Sequence, residues 1–273
     1  MKKLVIANPF KSLKARDYIL WAVSIAVNIV AFGLTGWKDP LTFVSAVVGV
    51  TSLILHANGQ VVGEIIMVIF AVFYSIVSYL FRYYSEFITY AFMSGPIALM
   101  AVFSWLKNPY GKSGQVKVAS LTKKKIAVML TCTAAVTVAF YFILRALNTP
   151  NLAVSTLSVT TSFLACYLTF LRSPWYAIAY AANDIILIVL WVLATLEDIS
   201  YLPMVTCFAM FLVNDIYGFI SWCKMKKAQS QNTEEPTCNT EEPACDTEES
   251  AYDTEEPVCN EDISEEENQI FKE

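Results

Sequence analysis

The chain has 273 residues, of which 56% are hydrophobic and only 16% are charged, and its mean hydropathy is +0.50. Soluble domains carry roughly a quarter charged residues, and their apolar runs are short, whereas the apolar residues here come in long blocks. The net charge of −5 hides an asymmetry, because most acidic residues lie after residue 230. This composition excludes a soluble globular domain and indicates an all-α integral membrane protein, for which no nucleic-acid partner is expected.

Eight apolar segments follow one another along the chain, each about long enough for a helix to cross roughly 30 Å of hydrocarbon. They are predicted at 18–36, 41–57, 61–81, 86–106, 126–147, 151–171, 175–196 and 200–222. Lysine and arginine are concentrated in the N-terminal arm, the loop after the fourth segment, the loop before the seventh and the stretch after the eighth. By the positive-inside rule, both ends of the chain are predicted to be cytoplasmic.

A possible internal repeat appears when segments two to four are laid on segments six to eight. With a shift of 117 residues, 42–105 runs against 159–222 without a gap, and loops fall on loops. Such a parallel repeat is one transporter architecture, with the substrate bound near the midplane between the halves. The predicted organisation is a cytoplasmic N-terminal arm (1–17), an extra transmembrane helix (18–40), a first three-helix repeat (41–106), a basic cytoplasmic loop with a linker helix (107–147), a second three-helix repeat (148–223) and an acidic cytoplasmic tail (224–273).

The tail contains four near-copies of a seven-residue unit, from Asn232 to Cys259. Proline recurs in three of the copies, and so acidic a sequence has too few apolar residues to bury a core. The tail is therefore predicted to be disordered. Its three cysteines lack the short paired spacing of zinc sites, so no metal site is predicted; they are Cys238, Cys245 and Cys259.

Five ionisable residues fall within or at the edge of apolar segments, where a charge costs at least about 2.5–3.5 kcal/mol at a helix centre. His56 is interpreted as an interfacial loop residue and Glu64 as reaching the cytoplasmic headgroups. Arg145 lies near a helix end, from which its long side chain can reach water. Asp184 and Asp215 have no such explanation. Asp184 lies about ten residues from Pro174 at the cytoplasmic end of its segment, or roughly 15 Å, and Asp215 lies at a similar depth, about nine residues from Lys224.

Aromatic side chains accompany both aspartates at helical spacing. The seventh segment carries Tyr176, Tyr180, Asn183, Asp184, Leu187 and Trp191 on one stripe, and the eighth carries Phe211, Asn214, Asp215, Gly218 and Trp222 with Tyr217 beside them. Aromatic faces bind planar rings and cations, and amides and carboxylates bind hydroxyl groups. The stripes predict a site for a flat, polar solute. The alternative that the Asn–Asp pairs join helices through hydrogen bonds stays open.

Two other classes of membrane protein have related requirements. Intramembrane aspartyl proteases also pair two aspartates, but their motifs are "YD" and "GxGD", whereas this chain has "AND" and "VND". A retinal-type photoreceptor needs a lysine in the middle of a helix, and no predicted segment has one there. The chain is predicted not to be an enzyme, and no cofactor is expected.

Four stretches, "TFVSAVVGVTSLILHANGQ", "FYSIVSYLFRYYSE", "NDIILIVLW" and "FLVNDIYGFISW", together resemble the PnuC family of bacterial vitamin-precursor transporters over 18–224. The resemblance implies a SWEET-like 3+1+3 fold with the extra N-terminal helix, commonly a homotrimer, in the bacterial inner (plasma) membrane. It also implies facilitated uptake of nicotinamide riboside, which a cytosolic ribosylnicotinamide kinase traps by phosphorylation.

Family members bind the ligand between the two repeats, with aromatic residues around the nicotinamide and amides on the ribose. The best matches to that pattern are Trp191, Asn183, Asn214 and Tyr217. Together with the helical stripes and the repeat, the predicted substrate-binding residues are Tyr74, Tyr180, Asn183, Asp184, Trp191, Asn214, Asp215 and Tyr217.

The chain also departs from the family pattern. Many members carry a "GLIN"-like stretch on the third segment, where this chain has "MVIF" at 67–70. A related ligand such as thiamine, riboflavin or a deoxynucleoside therefore stays open. Proton coupling stays open as well, since Asp184 or Asp215 can carry a proton if burial favours its neutral form.

Overall fold

The computed structural model describes residues 9–37, 40–111, 114–149 and 151–234. Long apolar helices alternate with short turns, and several helices end just before a residue whose backbone is left-handed, such as Arg82, Asn148 or Arg172. The helices are α1 (Ala15–Leu34), α2 (Pro40–Ala57), α3 (Val61–Leu80), α4 (Tyr84–Thr89), α5 (Gly95–Lys107), α6 (Lys123–Ala146), α7 (Leu152–Phe170), α8 (Tyr176–Glu197) and α9 (Leu202–Glu234). Short 3₁₀ turns cover Pro9–Ser12 and Ile199–Tyr201, and a π-helical turn, Tyr90–Ser94, joins α4 to α5.

Among the described residues, eight spans are long and apolar enough to cross a membrane, with α4, the π turn and α5 forming one of them. The predicted eight-helix membrane fold is confirmed. The last helix differs from its prediction, because α9 continues to Glu234 instead of ending at 222. The extension after residue 222 is polar, so hydropathy does not predict it. Gln229 anchors the extension by donating to the Val116 carbonyl (3.0 Å) and accepting from the Val118 N–H (2.8 Å). The rest of the predicted tail, with its three cysteines, and residues 1–8 of the predicted arm lie outside the described residues.

Six helices contact one another in a ring, in the order α2, α3, α5, α7, α8, α9 and back to α2. The consecutive triplets α2–α3–α5 and α7–α8–α9 are called the first and second helix groups below. The groups meet along two helix pairs, α2 with α9 and α5 with α7, while α1 packs on α2 and α9. Helix α6 packs on α7, and only 11% of its span is buried. Since lipid solvates apolar side chains as well as protein does, α6 needs no further partner, and the core lies between the two groups.

One end of the bundle, where α2, α5 and α7 end, carries the basic loops and is called the basic end below. A hairpin of β1 (Pro109–Tyr110) and β2 (Gln115–Val116) lies there. It covers the turn between α2 and α3, because the Val116 N–H donates to the Gly59 carbonyl at 2.9 Å and Gln60 bridges to Gln115. The turn therefore belongs to the protein interior.

The burial of this turn corrects two expectations from the sequence. His56 is not an interfacial loop residue: it is 1% exposed in the last turn of α2, and its ring stacks on Tyr176 with centroids 4.5 Å apart. Glu64 does not reach the headgroups either, because it is 1% exposed with its Oε2 3.3 Å from His56 Nδ1. The reason is the close approach of α2 and α3 at Gly63, where a Cβ atom would lie 2.5 Å from the His56 backbone nitrogen. Arg145, in contrast, is exposed in the last turn of α6.

Candidate functional site

A cavity lies between the two groups of helices, near the middle of their length. Its walls come from six helices and the π turn. The lining residues are Leu53, Met67, Phe70, Ala71, Tyr90, Ser94, Ala98, Ser162, Cys166, Tyr180, Asn183, Asp184, Phe208, Phe211 and Asp215. No lysine, arginine or histidine is among these described lining residues. The cavity is contracted, with a volume of about 30 Å³, which is room for a few water molecules. A vitamin-sized ligand therefore requires the walls to move apart.

Asn183 of α8 is held in one orientation by hydroxyl groups of α7. Its Oδ1 accepts hydrogen bonds from Thr161 Oγ1 at 2.9 Å and from Ser162 Oγ at 3.0 Å, and Ser158 Oγ lies 3.5 Å away. An amide oxygen has two lone pairs, so these hydroxyls use its acceptor capacity and decide which way the amide faces. The Nδ2 amide group is then the end that can donate to a ligand.

Asp184 of α8 and Asp215 of α9 meet across the cavity wall. Their side chains are 3% and 4% exposed, and both line the cavity. No group of the described chain donates a hydrogen bond to Asp184 Oδ2. The pair thus brings carboxyl groups into the cavity without a cationic side chain among the described residues of the wall.

Aromatic rings form the wall on the side of α3. Phe70 stacks on Tyr74, with centroids 5.6 Å apart at 18°, and meets Phe211 edge-on at 5.4 Å. Tyr90 meets both Phe70 and Tyr74 edge-on, at 6.2 and 4.4 Å. Behind this wall, Trp191 Nε1 donates to Tyr74 Oη at 3.2 Å. The cavity wall therefore combines these aromatic rings with polar groups of α7, α8 and α9.

Of the eight predicted site residues, the structure brings four onto the cavity wall. These are Tyr180, Asn183, Asp184 and Asp215. Tyr74 and Trp191 are joined by a hydrogen bond and lie behind the aromatic wall. Neither is among the described lining residues of the cavity.

Asn214 and Tyr217 point away from the cavity, toward α1. Asn214 Nδ2 donates to Ser24 Oγ at 3.0 Å and to the Met210 carbonyl at 2.7 Å. Tyr217 Oη donates to the buried Asp17 carboxylate. Both side chains hold α9 against α1 in this conformation.

Sequence reasoning missed every residue that the first helix group and the π turn contribute to the wall. Met67 and Phe70 belong to the "MVIF" stretch, which carries no polar signal. Ser162 had a usable signal, since residues 155–162 ("STLSVTTS") place six hydroxyl side chains in about two turns of an apolar helix. Tyr90 and Ser94 owe their positions to the π turn, for which the residues give no periodic pattern.

Comparison with known proteins agrees with this architecture. Residues 39–224 match the family model described as "Nicotinamide mononucleotide transporter". A relative from Neisseria mucosa, named nicotinamide riboside transporter PnuC, is 23% identical over 218 residues, which is 78% of this chain and 82% of that protein. A crystal structure described as the vitamin B3 transporter PnuC superposes with a TM-score of 0.69 at 22% identity, covering 79% of this chain and 94% of that one.

The family match extends over about two thirds of the chain and includes every helix that lines the cavity. The eight spans and the superposition are those of a multi-pass membrane protein. The chain therefore belongs to the nicotinamide mononucleotide transporter (PnuC) family, a bacterial family of membrane transporters rather than enzymes.

Proposed function

We propose that the protein takes up nicotinamide riboside across the bacterial inner membrane. The observation that carries the proposal is the cavity between the helix groups, which pairs an aromatic wall with the Asn183 amide and two carboxyl groups and has no described basic residue. Nicotinamide riboside offers a flat cationic ring, a carboxamide and ribose hydroxyls. The mononucleotide adds a phosphate, for which this lining has no cationic partner. The cavity therefore favours the riboside.

The lining groups suggest a role for each part of the ligand. The nicotinamide ring stacks among Phe70, Tyr90 and Phe211, where ring faces also attract its positive charge. Asn183 donates to a ribose or carboxamide oxygen, and Asp184 with Asp215 accepts from ribose hydroxyls. Tyr180 adds a hydroxyl beside Cys166, whose Sγ lies 3.3 Å from Tyr180 Oη.

The helix contacts support a repeat of two three-helix units around the cavity, with α6 as the linker. A shift of 117 residues carries α2 onto α7 and α5 onto α9, so that the contact of α2 with α9 corresponds to that of α7 with α5. The same shift pairs Tyr74 with Trp191 and Trp105 with Trp222, and the members of each pair touch. Residues on or near a two-fold axis contact their own equivalents. We propose that this unit assembles as a homotrimer.

Facilitated diffusion followed by phosphorylation suits a site of this charge. A cation is drawn inward by a membrane potential that is negative inside. A cytosolic kinase that adds a phosphate to the riboside converts it into an anion, which carboxyl groups in the cavity repel. The product then cannot leave by the route through which the substrate entered.

Binding and counterflow assays test the proposed substrate. Purified protein in liposomes is offered nicotinamide riboside, thiamine, riboflavin and nucleosides in turn. Nicotinamide riboside is expected to bind and exchange, and Asn183→Ala to weaken its binding. Uptake that thiamine competes away and nicotinamide riboside leaves unchanged would contradict this substrate.

A proton-coupled mode is the second candidate, and the two buried carboxyl groups of Asp184 and Asp215 on the cavity wall favour it. The two modes differ in their response to a pH gradient when the membrane potential is clamped at zero and no kinase is present. Facilitated diffusion then proceeds to equal concentrations whatever the pH gradient. Uptake that follows an imposed pH gradient and collapses with a protonophore establishes coupling.

A further inference from the structure

We propose that Asp184 and Asp215 act together as the counter-ion of the transported cation, so that the site selects a positively charged ring over an uncharged ring of the same shape. The inference rests on the proposed function and adds the charge requirement of its site. It follows from the arrangement of the pair, its burial and the absence of cationic side chains among the described residues of the wall.

The two carboxyl groups have no cationic side chain in the described wall to balance them when they ionise. A cation that binds beside a buried carboxyl group favours the ionised form of that group. Buried charges in proteins are normally paired with an opposite charge. Here both side chains are at least 96% buried on a cavity whose described lining has no lysine, arginine or histidine. A cationic ligand is the partner that this arrangement lacks.

The groups around the pair do not supply the missing charge. Tyr90, Cys166 and Tyr180 line the same cavity as the pair. These three side chains are neutral or become anionic. The nearest described His–Glu pair, His56 with Glu64, neutralises itself when both members are charged. On the opposite face of α9, Arg16 lies over the Tyr217 ring at 5.7 Å, beside Asp17.

A purely structural role explains two buried polar side chains at this helix contact but not why both are acids. Two asparagines or an asparagine and a serine join membrane helices through hydrogen bonds without burying a charge. Asn214, one residue before Asp215, already makes such a contact between α9 and α1. An acid pair on the cavity wall costs more than that, and the cost is recovered when a cation binds between the carboxylates and the aromatic wall.

Single and double substitutions separate the charge from the size of the side chains. Asp184→Asn or Asp215→Asn leaves one carboxyl group that can ionise beside one neutral amide. The double variant, Asp184→Asn with Asp215→Asn, keeps the size of both side chains and removes both ionisable groups. Asn183→Ala is the matched control, because it removes a neutral ligand contact from the same turn of α8.

The experiment compares nicotinamide riboside with its uncharged 1,4-dihydro form, which keeps the carboxamide and the ribose. Dissociation constants for both are measured by calorimetry on the detergent-purified full chain. The wild type is expected to bind the charged form at least about tenfold more tightly. Each single variant keeps a preference for the charged form, the double variant binds both forms about equally, and Asn183→Ala weakens both by the same factor.

Two results would overturn the proposal. Equal binding of the two forms by the wild type does so without any variant, even if the double variant fails to fold. A folded double variant that keeps the wild-type preference shows that the aromatic wall alone selects the charge. If the wild type binds neither form, the proposed substrate is wrong, and the counter-ion is tested with thiamine, whose ring is also cationic, against its uncharged deaza analogue. Equal binding of that pair rejects the counter-ion as well.

Discussion

At the scale of single residues, the character of the site depends on which atoms the protein has already used. Asn183 Oδ1 is occupied by two α7 hydroxyls at 2.9 and 3.0 Å, so the residue acts as a donor. The carboxyl groups of Asp184 and Asp215 supply acceptors beside it. A ligand must therefore offer both acceptors and donors, as a ribose or a carboxamide does.

Thr161→Val tests whether this orientation of Asn183 matters for binding. The substitution keeps the shape of the side chain and removes one hydroxyl donor to Oδ1, so the amide loses part of its restraint. A neutral hydrogen bond is worth about 0.5–1.5 kcal/mol, and we expect ligand affinity to fall by about twofold to tenfold. The measurement is the dissociation constant for nicotinamide riboside.

The adjacent residue on the same helix provides the control. Thr160 Oγ1 bonds to Thr137 Oγ1 of α6 at 2.8 Å, on the side of α7 away from the cavity. Thr160→Val removes a hydroxyl of the same kind, and it is expected to lower stability without changing affinity. If both variants bind like the wild type, the restraint on Asn183 is irrelevant to recognition.

The sequence predicts the residues of the site only in part, and the second Asn–Asp pair shows why. Neighbouring residues on a helix point about 100° apart. On α8 the cavity is wide enough for Asn183 and Asp184 to reach it together, but on α9 only Asp215 does so, and Asn214 turns to α1. A periodic stripe identifies the polar face of a helix. It does not say which neighbour each edge of that face will meet.

At the scale of elements, the π turn Tyr90–Ser94 brings the fourth span into the site. A π turn carries one residue more than an α turn, which rotates the following helix, and such turns are frequent at functional sites. Here the first and last residues of the turn, Tyr90 and Ser94, both reach the cavity. The turn closes with a hydrogen bond from the Gly95 N–H to the Tyr90 carbonyl.

Gly95→Ala is expected to disturb this turn and with it the aromatic wall. A Cβ atom at this position would lie 2.8 Å from the Tyr90 carbonyl oxygen, which is closer than the contact allows, so the backbone that carries Tyr90 must shift. We expect ligand affinity to fall by roughly tenfold or more. Calorimetric titration with nicotinamide riboside measures the change.

Gly33→Ala is the matched control for this glycine. It lies on exposed α1, where an added Cβ meets only Trp37 Nε1 at 3.9 Å. Replacing a helical glycine by alanine then stabilises the helix by about 0.5–1 kcal/mol, with unchanged affinity. Equal affinities for the two variants would show that the π turn tolerates the shift and does not shape the site.

The eight spans were predictable because an apolar block of this length in a membrane satisfies its backbone hydrogen bonds best as a spanning helix. The turn between α2 and α3 was not, because its burial depends on contacts distant in sequence. Gln60 pairs with Gln115 of the hairpin, and His56 stacks on Tyr176 of α8. Hydropathy averages over neighbours along the chain, so it assigns such polar residues to the membrane surface.

At the scale of the whole molecule, transport requires the two helix groups to separate around a cavity that now has a volume of about 30 Å³. Three tryptophan N–H groups join the groups to each other. At the basic end, Trp105 Nε1 donates to the Thr169 carbonyl at 3.0 Å and Trp222 Nε1 to the His56 carbonyl at 2.9 Å. Trp191 Nε1 donates to Tyr74 Oη nearer the opposite end. Opening one end of the bundle breaks the tryptophan hydrogen bonds at that end, while those at the other end stay intact.

Trp222→Phe should therefore favour opening at the basic end. The substitution keeps an aromatic ring and removes the hydrogen bond to the first helix group, worth about 0.5–1.5 kcal/mol, so the open population rises by about twofold to tenfold. Cys166, buried on the cavity wall, reports that population. In a protein whose other cysteines are serine, its rate of reaction with a maleimide is expected to rise by the same factor.

Trp21→Phe shows whether the effect belongs to the interface between the groups. Trp21 Nε1 also donates a hydrogen bond, to Thr51 Oγ1 at 3.1 Å, but it joins α1 to α2 and spans no boundary between the groups. Its loss lowers stability in a similar way and leaves the cavity closed. If Cys166 reacts equally fast in both variants, the indole bonds at the basic end do not hold the groups together, and the closed state depends on the aromatic packing of Trp105 against Trp222, whose centroids lie 5.3 Å apart.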